Sequence, residues 1–136
     1  MEVTDPFKIP MAYRPAETVQ ELLSRYAAGE RYFENTDLDG SSLQGTTLAG
    51  SNFRHSFLSS VDFRNTDLRG VCFDASNVKV SDFRGADLCG ASFRDASLCG
   101  ACVDGAKLDN VAVEGAQCYG GSLRDIHDLL RVDSRR

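Results

Sequence analysis

The sequence predicts an all-β solenoid: parallel strands wound into a four-sided coil, with an α-helix over each end. Three observations carry this prediction. A large apolar residue recurs at every fifth position from Phe33 to Leu123. Two places before most of these centres stands Ala, Ser or Thr, and two places after them stand ten of the chain's twelve glycines. The identity of the centre also repeats at twenty, as in Phe33, Phe53, Phe73 and Phe93. Helices repeat apolar residues about every 3.6 positions and strands about every 2, so a period of five belongs to neither alone.

The chain of 136 residues divides into an N-terminal extension over 1–30, repeats over 31–125 and a C-terminal tail over 126–136. In the extension, "PAETVQELLSRYAAG" reads as a helix, with Pro15 in its first turn and Gly29 as its stop. Val19, Leu22, Leu23, Tyr26 and Ala27 form one stripe by helical spacing, placed to lie across Phe33 and its neighbours.

Within the repeats, residues two apart in an extended segment share a face. The centre and the small residue before it therefore point inward, and the residue between them points out. The chain must then turn, or the next centre would face away. Glycine suits that turn because it tolerates positive φ. A right-angle corner after every five residues closes a square in four, so residues twenty apart stack on one face. The predicted inner columns are Phe33, Phe53, Phe73, Phe93 and Val113; Leu38, Leu58, Val78, Leu98 and Cys118; Leu43, Phe63, Phe83, Val103 and Leu123; and Leu48, Leu68, Leu88 and Leu108. Aromatic rings then meet aromatic rings, and the small residues leave them room. A solenoid exposes its core at both ends and needs caps. "SLRDIHDLLRV" offers Ser122 and Asp125 as a helix start, with Ile126, Leu129 and Leu130 as an apolar face that covers the last coil or pairs with a second copy. Monomer and C-terminal homodimer both fit.

The motif A-(D/N)-L-x-x, with "GADLCG" and "NTDLRG" as close examples, resembles the pentapeptide-repeat family. That resemblance implies a right-handed quadrilateral β-helix. The leader "ELLSRYAAGERYF" is similar to those of family members from photosynthetic bacteria.

The outward positions flank each centre. Beside the phenylalanines the outer column reads Glu34, Arg54, Asp74, Arg94, Glu114, alternating in sign, which suits ion pairs between coils. Asp62 stacks under Asp82 and Asp67 under Asp87, with Arg64, Arg69 and Arg84 as compensators. Phe57 stands at an outward position where Asp37, Asn77 and Ser97 are its neighbours, and Val80 stands where glycine is expected. Phe57, Lys79, Val80, Cys99 and Tyr119 form a candidate partner patch, unless a local distortion tucks Phe57 inward.

Composition narrows the function. A hydrophobic fraction of 42% with 26% charged residues is that of a soluble globular chain. The net charge of −5 disfavours direct nucleic-acid binding, which needs a basic patch. No basic region precedes an apolar core at the N-terminus, and no apolar run spans a bilayer. Five cysteines without an export signal predict reduced thiols in the cytoplasm. Cys99 and Cys102 form one CxxC without the second ligand pair that zinc requires, and read as solvated surface thiols. His55 and His127 lie far apart in the repeat frame, so no nucleophile–base pair assembles. Glycines spaced by five are turn residues and make no phosphate loop. The expectation is a protein without catalytic residues, metal or cofactor, acting as a noncatalytic protein-interaction or scaffold module. The alternative, which the family resemblance implies, is a DNA-mimicking binder of a type II topoisomerase such as DNA gyrase. The short repeat and the interspersed arginines weaken it.

Overall fold

A computed structural model describes residues 3–118, 121–122 and 125–127. Its body is a stack of twenty-residue coils: coil 1 over 31–50, coil 2 over 51–70, coil 3 over 71–90, coil 4 over 91–110, and the start of a fifth. Parallel bridges join residues twenty apart on four ladders. These run Tyr32–Asn52–Cys72–Ser92–Ala112, Asp37–Phe57–Asn77–Ser97–Gln117, Ser42–Asp62–Asp82–Cys102 and Thr47–Asp67–Asp87–Lys107. The backbone polar groups are spent between coils. The Phe53 N–H donates to the Cys72 carbonyl at 2.8 Å, the Cys72 N–H to Ser51 at 2.9 Å, and the His55 N–H to Asp74 at 3.1 Å.

The corners follow from one backbone device. Every fifth residue from 35 to 115 has φ between 56° and 78°, whether or not it is glycine. Most corners close with a bond from the residue after it back to the centre, such as Ser51 N–H to the Leu48 carbonyl at 3.1 Å. Four corner columns result: corner I (35, 55, 75, 95), corner II (40, 60, 80, 100), corner III (45, 65, 85, 105) and corner IV (50, 70, 90, 110).

Inside, the period-twenty sorting becomes stacked rings. Phe33, Phe53, Phe73 and Phe93 stack with centroids 4.9–5.9 Å apart, and Phe63 stacks on Phe83 at 4.9 Å. The two columns meet edge to face, Phe63 against Phe73 at 5.7 Å and Phe83 against Phe93 at 5.7 Å. Each such pair adds about 0.5–1.5 kcal/mol to the burial of its area.

Helix α1 spans Val19–Ala27, shorter than the predicted segment, because Thr18 is the N-cap and its hydroxyl accepts from the Glu21 N–H at 3.0 Å. Leu22 is fully buried in the core, with Val19, Leu23 and Tyr26 packed against it. Ala27, expected on that stripe, is exposed, since the helix ends there and the chain leaves through Ala28 and Gly29. Two tyrosines finish the open rim of coil 1. The Tyr26 hydroxyl donates to the Ala49 carbonyl at 2.8 Å, and the Tyr13 hydroxyl to Glu34 at 2.7 Å. Burial pushes Tyr13 up to about 12, so it stays a donor.

The C-terminal end departs from the prediction. Strand β1, Gln117–Cys118, pairs antiparallel with β2, Gly121–Ser122, so Ser122 lies in a hairpin rather than at a helix start. Gly120 and Gly121 favour such a reversal over another five-residue step. Ile126 is buried in the core. Leu123, Leu129 and Leu130 lie outside the described residues.

Candidate interaction surface

The ladders leave one backbone N–H per repeat unsatisfied, that of the residue after the centre. The Asp or Asn before the centre accepts it. Asp62 Oδ1 takes the Arg64 N–H at 3.0 Å, Asp82 the Arg84 N–H at 3.0 Å, Asn77 the Lys79 N–H at 3.1 Å and Asp87 the Cys89 N–H at 3.1 Å. The acidic motif position is therefore a backbone cap. The compensating arginines close onto the same carboxylates. Arg64, Arg69 and Arg84 each make paired bonds to Asp62, Asp67 and Asp82, with Nη2–Oδ2 distances of 2.8, 2.8 and 2.6 Å. Those guanidinium hydrogen bonds hold the three carboxyl groups below the usual carboxylate range.

The alternating column is not a run of ion pairs. Arg94 does reach Glu114 at 2.9 Å. Glu34, however, accepts from the buried Asn52 amide at 2.9 Å, and Asp74 accepts from the Ser92 hydroxyl and the Arg94 N–H. Capping and fastening needs displace the expected pairing.

Four of the five patch residues fall on the Leu38–Leu58–Val78–Leu98 face. The ladder runs through Phe57 without a break, and the ring is 54% exposed, so it points outward. Because Phe57 cannot cap the Ser59 N–H, Asp39 from the coil below does so at 2.8 Å. Lys79 is exposed one coil higher, and Val80 beside it is 62% exposed with φ 62°. A β-branched residue in the left-handed region is a true outlier. Cys99 is half-buried and stacks on this column, its Sγ 3.9 Å from the Gln117 carbonyl oxygen. Tyr119 lies outside the described residues. Cys102 is also half-buried. Burial pushes the Cys72 thiol up to about 11, which makes it a core thiol rather than a nucleophile. Among the described residues no group of His, Cys, Asp and Glu is placed to hold a metal ion, and no helix is long and apolar enough to cross a membrane.

Two features escaped the sequence reading. Corner I opens into a shallow groove of about 400 Å³, lined by the exposed His55, Phe57 and Asp95 above a floor of Ser56 and Ser76. Its signal in the sequence is the lack of glycine at 35, 55, 75 and 95. The N-terminal extension also exposes Val3, Phe7, Ile9 and Met11, and Val3, Ile9 and Met11 line a further hollow. It is fastened by the Thr4 N–H to Gly29 at 2.9 Å and by the Asn52 amide to the Pro6 carbonyl at 2.8 Å.

Fold and surface together define a parallel β-solenoid of five-residue units whose outward Asp and Asn cap the backbone between coils. The profile of pentapeptide repeats matches this chain in eight copies, over residues 32–70, 41–78 and 81–111. The chain belongs to the pentapeptide-repeat family. It is similar to alr5209, a pentapeptide repeat protein from Nostoc PCC 7120, with TM-score 0.70 and 30% identity over 78% of this chain and 99% of that one. It is also similar to Rfr23 from the cyanobacterium Cyanothece 51142, with TM-score 0.51 and 26% identity over 65% of this chain and 57% of that one. No curated protein matches. The family and these neighbours imply a right-handed β-helix.

Proposed function

We propose that this protein is a noncatalytic protein-interaction module of the cytoplasm, and that it holds its partner on the face bearing Phe57, Lys79 and Val80. The observation that carries the reading is the pair of exposed apolar side chains, Phe57 at 54% and Val80 at 62%, on a face whose backbone bonding is complete. Such a face offers contact area without ordering its own chain on binding, which lowers the entropic cost of association. Val80 adds a second support: backbone strain retained at an exposed residue points to a use for the side chain.

A DNA-mimicking surface is less well supported. It needs unneutralised carboxylates along the rod, and the Asp62, Asp67 and Asp82 carboxylates are each tied to an arginine. The test compares immobilised wild type with Phe57→Ser in native lysate, reading retained proteins by mass spectrometry. At least a tenfold loss of a reproducible partner is expected for the variant. Equal retention removes this face, and inhibition of gyrase supercoiling by the wild type would favour the mimic instead.

A further inference from the structure

The groove at corner I and the hollow next to it gather carboxylates around an exposed aromatic ring. It runs on through Asn35 into a second hollow of about 420 Å³, lined by Arg14, Pro15, Ala16, Glu17, Asn35 and Asp37. Three carboxylates line the trough that these two adjoining hollows make: Glu17 and Asp37 at its lower end and Asp95 at its upper end. Among the described residues none of the three is in an ion pair, whereas Asp62, Asp67 and Asp82 are each bound by an arginine. Arg14 is the cation among the lining residues, so carboxylates outnumber it three to one. Between the two acidic ends stands the exposed ring of Phe57, over the hydroxyl-bearing floor of Ser56 and Ser76.

Resting on the interaction-module reading, we infer that the corner I trough takes an extended, basic segment of the partner protein. One cationic side chain meets Asp95, a second meets Asp37 and Glu17, and the residue between them packs on Phe57. A guanidinium or ammonium group gains from the open carboxylates, and its stem or a neighbouring apolar side chain gains from the ring. The spacing follows from the coils. Asp37 and Asp95 are three coils apart, about 15 Å at the strand separation with the lateral offset of their columns, and an extended peptide covers that in about four residues. Residues four apart in an extended chain face the same way. The predicted ligand pattern is therefore Arg or Lys, three residues, then Arg or Lys.

The experiment is selection of a random dodecapeptide library, displayed on phage, against the full-length protein. Selected peptides are then titrated by fluorescence anisotropy against wild type, Asp95→Asn, Asp37→Asn and Phe57→Ser. Asn is compatible with the left-handed backbone at 95, so that variant keeps its fold, checked by circular dichroism. Enrichment of basic residues four apart is expected. Affinity should fall at least tenfold for Asp95→Asn and for Phe57→Ser, and fall again as salt is raised. Peptides with no paired basic residues, or binding equally well to wild type and Asp95→Asn, overturn the inference. Loss of a native partner on Phe57→Ser without any selected basic peptide also overturns it, while leaving the interaction module standing.

Discussion

In coils 1 to 3 corner IV turns on Gly50, Gly70 and Gly90, at φ 76°, 66° and 75°, with Asn110 at 60° in coil 4; corner I makes the same turn on Asn35, His55, Ala75 and Asp95, at φ 60°, 59°, 58° and 59°. Space is not what demands glycine at corner IV, because a Cβ at Gly50 or Gly70 would meet nothing within 4 Å. The backbone angle alone explains it, since a left-handed conformation costs an L-residue such as Ala about 1–2 kcal/mol. The lower turns of corner I differ in bonding as well. At corner IV the Ser51, Val71 and Ala91 N–H groups return to Leu48, Leu68 and Leu88 at 3.1, 3.2 and 2.9 Å. At corner I the Thr36 N–H goes instead to Ser56 Oγ at 3.1 Å, and the Ser56 N–H to Ser76 Oγ at 3.0 Å. Through coils 1 to 3 corner IV is thus a structural turn reduced to backbone. Corner I retains side chains at an energetic cost, and those side chains wall a groove.

Removing what both corners share should have the largest effect. Phe73 stacks on Phe53 and Phe93 and meets Phe63 and Phe83 edge-on, so Phe73→Ala should cost about 3–5 kcal/mol in urea unfolding. Next comes the hydroxyl bridge that corner I has and corner IV lacks; corner II has it too, where Ser81 Oγ joins the Val61 N–H to the Leu58 carbonyl. Ser76 Oγ accepts from Ser56 N–H and donates to the Phe53 carbonyl at 2.7 Å, fully inside the coil. Ser76→Ala should therefore cost about 1–3 kcal/mol, whereas Ser51→Ala, whose hydroxyl has no hydrogen-bond partner, should cost under about 1 kcal/mol. A reciprocal exchange isolates the backbone: Gly70→Ala should destabilise by about 1–2 kcal/mol, and Ala75→Gly should stabilise by about 0.5–1 kcal/mol. If both changes destabilise equally, the comparison of corners fails.

The smallest effect concerns acid. Asp62, Asp67 and Asp82 are lowered in the folded chain by their arginine partners, so the unfolded chain binds protons first as pH falls. Their contribution is complete above the ordinary carboxylate range, near pH 4, and is lost as pH drops through the lower folded values. The thermal midpoint should hold from neutral pH to about 5 and then fall, with a shallower fall for Arg84→Gln. Because the arginines are exposed, the difference should be a few degrees at most.

Much of the coil body was readable before the structure. Five-residue spacing and the sorting of Phe from Leu at twenty are statements about layers, and the layers formed. The patch was partly readable, because Phe57 stands where Asp37, Asn77 and Ser97 are its column neighbours and Val80 stands at a turn position that glycine fills in ten of nineteen repeats. What the pattern hid was bonding that crosses it. Nothing in a repeat says that Glu34 will bind Asn52 rather than Arg54, or that Asn52 will fasten Pro6 from 46 residues away. The end of the coil was misread because Cys118 still satisfies the period while Gly120 and Gly121 permit a reversal.

The carboxylate caps along the flanks have a bearing on how copies of this molecule meet. An ordinary exposed sheet edge invites a neighbouring chain to pair with it. Here the sides of the rod present amides already occupied by Asp and Asn, so fibril growth by strand addition is confined to the two termini. At one of these, two tyrosine hydroxyls stand over the carbonyls that a further coil would use. Truncation that removes both Tyr13 and Tyr26 would uncover that end and leave a chain able to polymerise along its own axis.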